Sequence, residues 1–249
     1  MTIWRMLLAM GIVLTIGTQK PALAGEGIYP SVPAGFNGGA TDLMDTEART
    51  IERLRRQAYH FARQQHVPYI WGGTAVGSAE QCDACRECVK KGKVPLKMRF
   101  EKCSACRTCG IDCSHLIQSI YEFAGLDFPY ATVNLLVDHT ERHLRRKYDL
   151  VNMPIATQML QLGDLLVYDK HIVMVLSSNS TGGGEVIHAT MLGDKHKFGG
   201  IKIEYTDELF AFRGPIRRVL RHRSFFEHIE IADHHFDPFL AISGYSSTL

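Results

Sequence analysis

An α+β domain, its helices packed on one antiparallel sheet of about five strands, is the fold class this sequence predicts. Three observations lead there. Apolar residues recur at helical spacing in the first half of the 249-residue chain, short β-rich segments divided by turns follow from residue 164, and a composition of 45% hydrophobic and 22% charged residues suits a single globular core. A net charge of +2 is too small to indicate a nucleic-acid partner.

Residues 1–24 read as a signal peptide. MTIWR is a short basic start, MLLAMGIVLTI is an apolar run of 11 residues, and PALA offers a cut after Ala24. The run is short of the ~20 residues that cross a bilayer. No cysteine follows the cut to carry a lipid, and no Arg-Arg pair marks export in the folded state. The mature protein is therefore expected to be exported, to the periplasm or to a secreted, wall-associated location, where cysteines are oxidised. Residues 25–44, rich in Gly and Pro, read as an extended arm.

A first helix, capped by Asp45 or Thr46, carries Ile51, Leu54, Ala58, Phe61 and Ala62 on one face and ends before Pro68. PYIWGGT (68–74) reads as a strand and turn, and residues 75–109 as a cysteine-rich interruption. Asp112 then caps a second helix with a buried stripe of Leu116, Ile117, Ile120 and Tyr121, stopped at Gly125. Residues 127–160 are mixed, with DHTERHLRRK as a solvated helix face. DLLVYD, HIVMVLSS, EVIHAT, IKIEY and IRRVL are the five strands. Residues 221–249 read as a tail.

Cys113 lies at the mouth of the second helix. The helix dipole and the unpaired N–H groups there favour a thiolate and can also donate to an oxyanion on an attacked carbonyl. His171 opens one strand and His188 lies in the next, so adjacent pairing brings the two together. His171 can then serve Cys113 as general base, while His188 binds its other ring nitrogen and fixes its orientation. A buried structural cysteine and satisfied core histidines are the competing reading.

Four blocks in this order resemble the NlpC-type bacterial cell-wall cysteine peptidases: PYIWGGT, DCSHLIQSIYEFAGLDFP (112–129), LGDLLVYDKHIVMVL (162–176) and EVIHAT. The resemblance implies a papain-like fold with catalytic Cys113, His171 and His188. It sets Tyr69 beside the oxyanion or substrate carbonyl and lets Asp112 and Ser114 line the substrate site. It further implies hydrolysis of amide bonds in peptidoglycan stem peptides, between D-glutamate and the diamino acid or at a cross-link, with no cofactor. Two alternatives stand beside it: an acyl or amide transferase using the same thiol, and a non-catalytic wall-binding or regulatory protein. The family's glycine after Asp-Cys-Ser is His115 here, which bears on the shape of the substrate site.

The interruption holds Cys82, Cys85, Cys88, Cys103, Cys106 and Cys109 as two CxxCxxC halves. Cysteines three apart share a helical face, so nested bridges Cys82–Cys109, Cys85–Cys106 and Cys88–Cys103 can lace two antiparallel turns, as one of 15 connectivities. An even count and an oxidising compartment favour bridges. Cys85, Cys88, Cys103 and Cys106 also have the spacing of a zinc site, and an iron–sulfur cluster is a third reading. Between Cys82 and Cys109, eight Lys/Arg against three acids give +5, a surface suited to anionic wall polymers or a membrane. In the tail, His222, His228, His234 and His235 with Asp233 and Asp237 match no standard ligand spacing.

Overall fold

The computed structural model describes residues 41–156, 159–179, 183–191 and 198–225. Residues 1–24, expected to be a signal peptide, most of the expected arm, and the tail residues His228, Asp233, His234, His235 and Asp237 lie outside these described residues.

Helix α1 (Thr41–Ala62) starts earlier than Asp45, so the last residues assigned to the arm are helical. Its Leu54, Ala58 and Phe61 are buried, as their spacing dictates. Strand β1 (Thr74–Ala75) pairs with β2 (Gly110–Ile111) on either side of the insertion. The PYI segment forms no strand of its own and pairs with β2 through a parallel bridge between Tyr69 and Ile111. Helix α4 (Cys113–Phe123) buries Leu116, Ile117, Ile120 and Tyr121, each worth roughly 2 kcal/mol of apolar transfer.

Helices α5 (Val133–Asp138) and α6 (Glu141–Tyr148) are capped by Thr132 and Thr140. DHTERHLRRK (138–147) is solvated except where Leu144 enters the core, as does Tyr148 directly after it. Strands β3 (Leu150–Met153), β4 (Leu165–Tyr168), β5 (His171–Val175), β6 (Glu185–Thr190), β7 (Gly200–Tyr205) and β8 (Arg218–His222) form one antiparallel sheet in the order β3-β8-β4-β5-β6-β7.

The sheet has six strands among the described residues instead of five, because LVNM (150–153) finds a partner in β8. Helix α7 (Thr206–Arg213) is a second unforeseen element. The segment assigned to the tail starts later than 221. His222 closes β8, buried 5.8 Å from the Tyr121 ring, and Phe225 is buried as well.

The insertion folds as helix α2 (Ala79–Gly92), a 3₁₀ turn (Leu96–Met98), helix α3 (Arg99–Lys102) and a second 3₁₀ turn (Ser104–Arg107). Ser78 starts α2 through a capping box with Gln81. The bridges are nested as their spacing suggests: Cys82–Cys109, Cys85–Cys106 and Cys88–Cys103, with Cα separations of 4.9, 4.6 and 5.8 Å. Cys85, Val89, Cys103 and Cys106 pack with Ile70 and Phe198 of the main domain, and Arg99 lies 5.3 Å over the Phe198 ring. The insertion is therefore fastened to the domain by a small core of its own.

The four candidate zinc ligands are here engaged in two of the bridges, so the zinc and disulfide readings predict opposite outcomes. Reduction of the purified protein is expected to raise its intact mass by about 6 Da, two hydrogens per bridge. An unchanged mass with bound metal would replace the bridges with a metal site.

Candidate active site

The site is built where the two sides of the insertion meet. Gly110 (φ 151°) crosses so close to Ile70 that a Cβ would collide with its side chain. This approach lets Ile70 N–H donate to Ile111 O (3.1 Å) and Asp112 N–H to Gly73 O (3.1 Å). Asp112 then does two jobs. Its Oδ1 accepts from His115 N–H at 2.8 Å and starts α4, and its Oδ2 accepts from Gly72 N–H at 3.1 Å. Gly72 holds φ +75°, a conformation glycine takes at little cost. The aromatic turn Tyr69–Trp71 is thus pinned to the first residue of the helix, Cys113.

His115 rests on the same cap. Its Nδ1 lies 3.0 Å from Asp112 Oδ1, and its ring stacks on Tyr130 with centroids 4.0 Å apart. It backs Tyr130, which lines the cavity. Tyr69, Trp71, Tyr130 and Asp112 enclose, with Cys113, a cavity of about 440 Å³. A wider cleft of about 750 Å³ lies elsewhere, between α2 and β7, and reaches Glu204 but not Cys113.

Cys113 is the one free cysteine of the chain, 5% exposed. Burial, and then the Asp112 carboxylate, push its thiol up to about 11. Hydrogen bonds from Ile172 N–H and from Ser114 pull the other way and are outweighed. Desolvation and the neighbouring negative charge thus oppose the thiolate that the helix N-terminus favours. Alkylation of Cys113 is accordingly expected to climb about tenfold per pH unit between pH 7 and 10, without a plateau near neutrality. A plateau below pH 7 would mean a preformed thiolate–imidazolium pair.

The histidines meet as the strand pairing requires. The β5–β6 register sets Met174 opposite Ile187, which makes His171 and His188 diagonal neighbours on one face. His171 Nε2 and His188 Nδ1 are 2.7 Å apart, and His188 Nε2 lies 3.0 Å from Glu204 Oε2 on β7. Both rings are held below the usual imidazole range, chiefly by burial, so both are neutral at pH 7. The hydrogen bond from His188 keeps Glu204 below the usual carboxylate range.

These charges assign the tautomers. The Glu204 carboxylate accepts from His188 Nε2–H, so His188 Nδ1 is an acceptor. His171 must then donate through Nε2–H, which leaves its Nδ1 lone pair free. His171 immediately precedes Ile172, whose N–H reaches the Cys113 sulfur. Among the described residues, no hydrogen bond joins that sulfur to the His171 ring. Thiol–imidazole contacts of this kind often close only around a substrate.

Tyr69 is buried beside Cys113 and Asp112, and burial raises its hydroxyl far enough to keep it a donor. Ser114 is buried too, hydrogen-bonds to the thiol and lines the same cavity as Asp112 and Tyr69. Tyr69, Asp112, Cys113 and Ser114 line one cavity, while His171 and His188 pair with each other next to Ile172, whose N–H reaches the thiol.

Two charged residues were not foreseen. Glu204 sits in IKIEY, where only the β6–β7 register, pairing His188 with Lys202, shows that it shares the histidine's face. Arg213, at the end of α7, donates to Thr190 Oγ1, and its positive charge depresses both histidines further. No local pattern pointed to it.

The NlpC/P60 family model matches residues 66–210, more than half of the chain and a span containing Tyr69, Cys113, His171, His188 and Glu204. No curated protein and no solved structure matched the chain.

Proposed function

The chain belongs to the NlpC/P60 family of cell-wall peptidases, and from that premise we propose that it is an exported cysteine endopeptidase. It hydrolyses amide bonds of peptidoglycan stem peptides, at the D-glutamate–diamino acid bond or at a cross-link, using Cys113, His171 and His188. The observation that carries this reading is the hydrogen-bonded chain from the buried His171 and His188 to the half-buried Glu204, which starts on the strand whose Ile172 N–H reaches the one free cysteine at the head of a helix.

In this mechanism His171 Nδ1 takes the thiol proton as Cys113 Sγ attacks the scissile carbonyl. The resulting oxyanion accepts from backbone N–H at the start of α4 and from the Tyr69 hydroxyl. The imidazolium on His171 is balanced through His188 by the Glu204 carboxylate. It returns its proton to the departing amine as the C–N bond breaks. Water, deprotonated by His171, then cleaves the thioester and restores the thiol. Because thiol and imidazole both start neutral, the proton moves only when substrate is in place.

Export is supported by the leader-like residues 1–24 and by three disulfides, which persist in oxidising compartments. The test is digestion of purified sacculi, with new muropeptides identified by mass spectrometry. Products extended by an added amine would assign the transferase chemistry instead. Sacculus binding without turnover would assign a wall-binding role.

A further inference from the structure

The cavity around Cys113 is cationic, and one of its charges comes from the cysteine-rich insertion. Lys97 lies in the 3₁₀ turn Leu96–Met98, and Lys170 in the two-residue turn that precedes His171. Both line the nucleophile's cavity of about 440 Å³.

Several other cations of the insertion are engaged in its own fold. Arg86 pairs with Asp83, Lys91 pairs with Glu87, Arg99 stacks on Phe198, and Arg107 donates to Phe100 O. Among the described residues, neither Lys97 nor Lys170 has a carboxylate partner. The only carboxylate lining the cavity among the described residues, Asp112, is committed to Gly72 N–H and to His115. Two uncommitted ammonium groups against one satisfied carboxylate make a field that selects an anion.

We propose that Lys97 and Lys170 form a carboxylate-recognition subsite beside Cys113, through which the insertion selects stem peptides that keep a free carboxylate next to the scissile amide. This rests on the stem-peptide hydrolase reading above. A γ-linked D-glutamyl residue has such a group, because its side-chain carboxyl forms the amide and leaves the α-carboxylate free. The insertion presents Lys97 from a fixed base. The Cys88–Cys103 bridge closes the loop that carries it, and Arg99, two residues on, is buried against Phe198. The ammonium itself stays exposed and free to meet a ligand.

The test uses two synthetic stem tetrapeptides that differ only in the D-glutamyl α-carboxylate or α-carboxamide. The full-length wild type is expected to cleave the acid with a kcat/KM about tenfold above that of the amide. Lys97→Ala is expected to lower kcat/KM for the acid by about tenfold, mainly through KM, and to leave the amide unchanged, with Lys97→Arg restoring the preference. Binding of both peptides to the Cys113→Ala protein, read by calorimetry, should give the same ratio. Equal rates for the acid and the amide in the wild type overturn the subsite, as does an equal loss on both in Lys97→Ala. Binding and cleavage of neither peptide, with sacculi also untouched, would instead overturn the hydrolase reading on which the subsite rests.

Discussion

Replacing Cys113 with alanine is expected to abolish muropeptide release from sacculi, by roughly 10³-fold or more, with folding intact. The side chain is buried at the start of α4 and takes part in no disulfide, so its loss removes the nucleophile while leaving the cap and the bridges in place. His171→Ala should cost a similar factor, because nucleophile and base act as a unit and their effects do not add. Glu204→Gln should be milder, about ten- to a hundredfold. A glutamine amide can donate to His188 Nε2, reverse the tautomer chain and occupy the lone pair that His171 needs. The graded order, with the two large losses not additive, is what distinguishes a catalytic relay from three residues that merely support the fold. Undiminished release by Cys113→Ala would sink the mechanism.

Asp164→Ala is expected to be the most destabilising single change in the sheet, at about 3–5 kcal/mol. Asp164 is fully buried on the approach to β4, and its two oxygens take Arg221 Nε and Nη2 at 2.6 and 2.7 Å. Oδ2 also accepts from Gln161 N–H at 2.8 Å. Removing the carboxylate leaves a guanidinium in the interior without the charge that offsets its desolvation. The transition midpoint, followed by circular dichroism, should fall on the order of 10 °C. The double variant Asp164→Leu/Arg221→Met should recover much of that loss, since it removes both charges at similar volume. A double variant as unstable as the single one would show that the hydrogen bonds to Gln161 and Met159, rather than the charge pair, hold this corner.

Features governed by short-range rules were legible from residues alone. A 3.6-residue period with Asp112 as cap placed α4 and, with it, Cys113 at the helix mouth. A three-residue cysteine period suggested the nested bridges as one of 15 connectivities, because residues one turn apart share a face. Short β-rich segments divided by turns located the five strands in order, and with them His171 and His188 on neighbours. His115, unexplained by any motif, became a buttress only once Tyr130 was seen stacked on it.

What only the tertiary structure decided depends on register and on summed burial. The sixth strand, LVNM, has weak β character and exists because β8 offers an edge. Glu204 joins the histidines through one strand register, and Lys97 reaches the nucleophile's cavity because the bridged insertion folds back onto Ile70 and Phe198. The protonation state of Cys113 is the sharpest case. Its helix-terminal position is written locally and favours a thiolate. Its burial and its nearness to Asp112 arise from packing of the whole domain, and desolvation is the larger force.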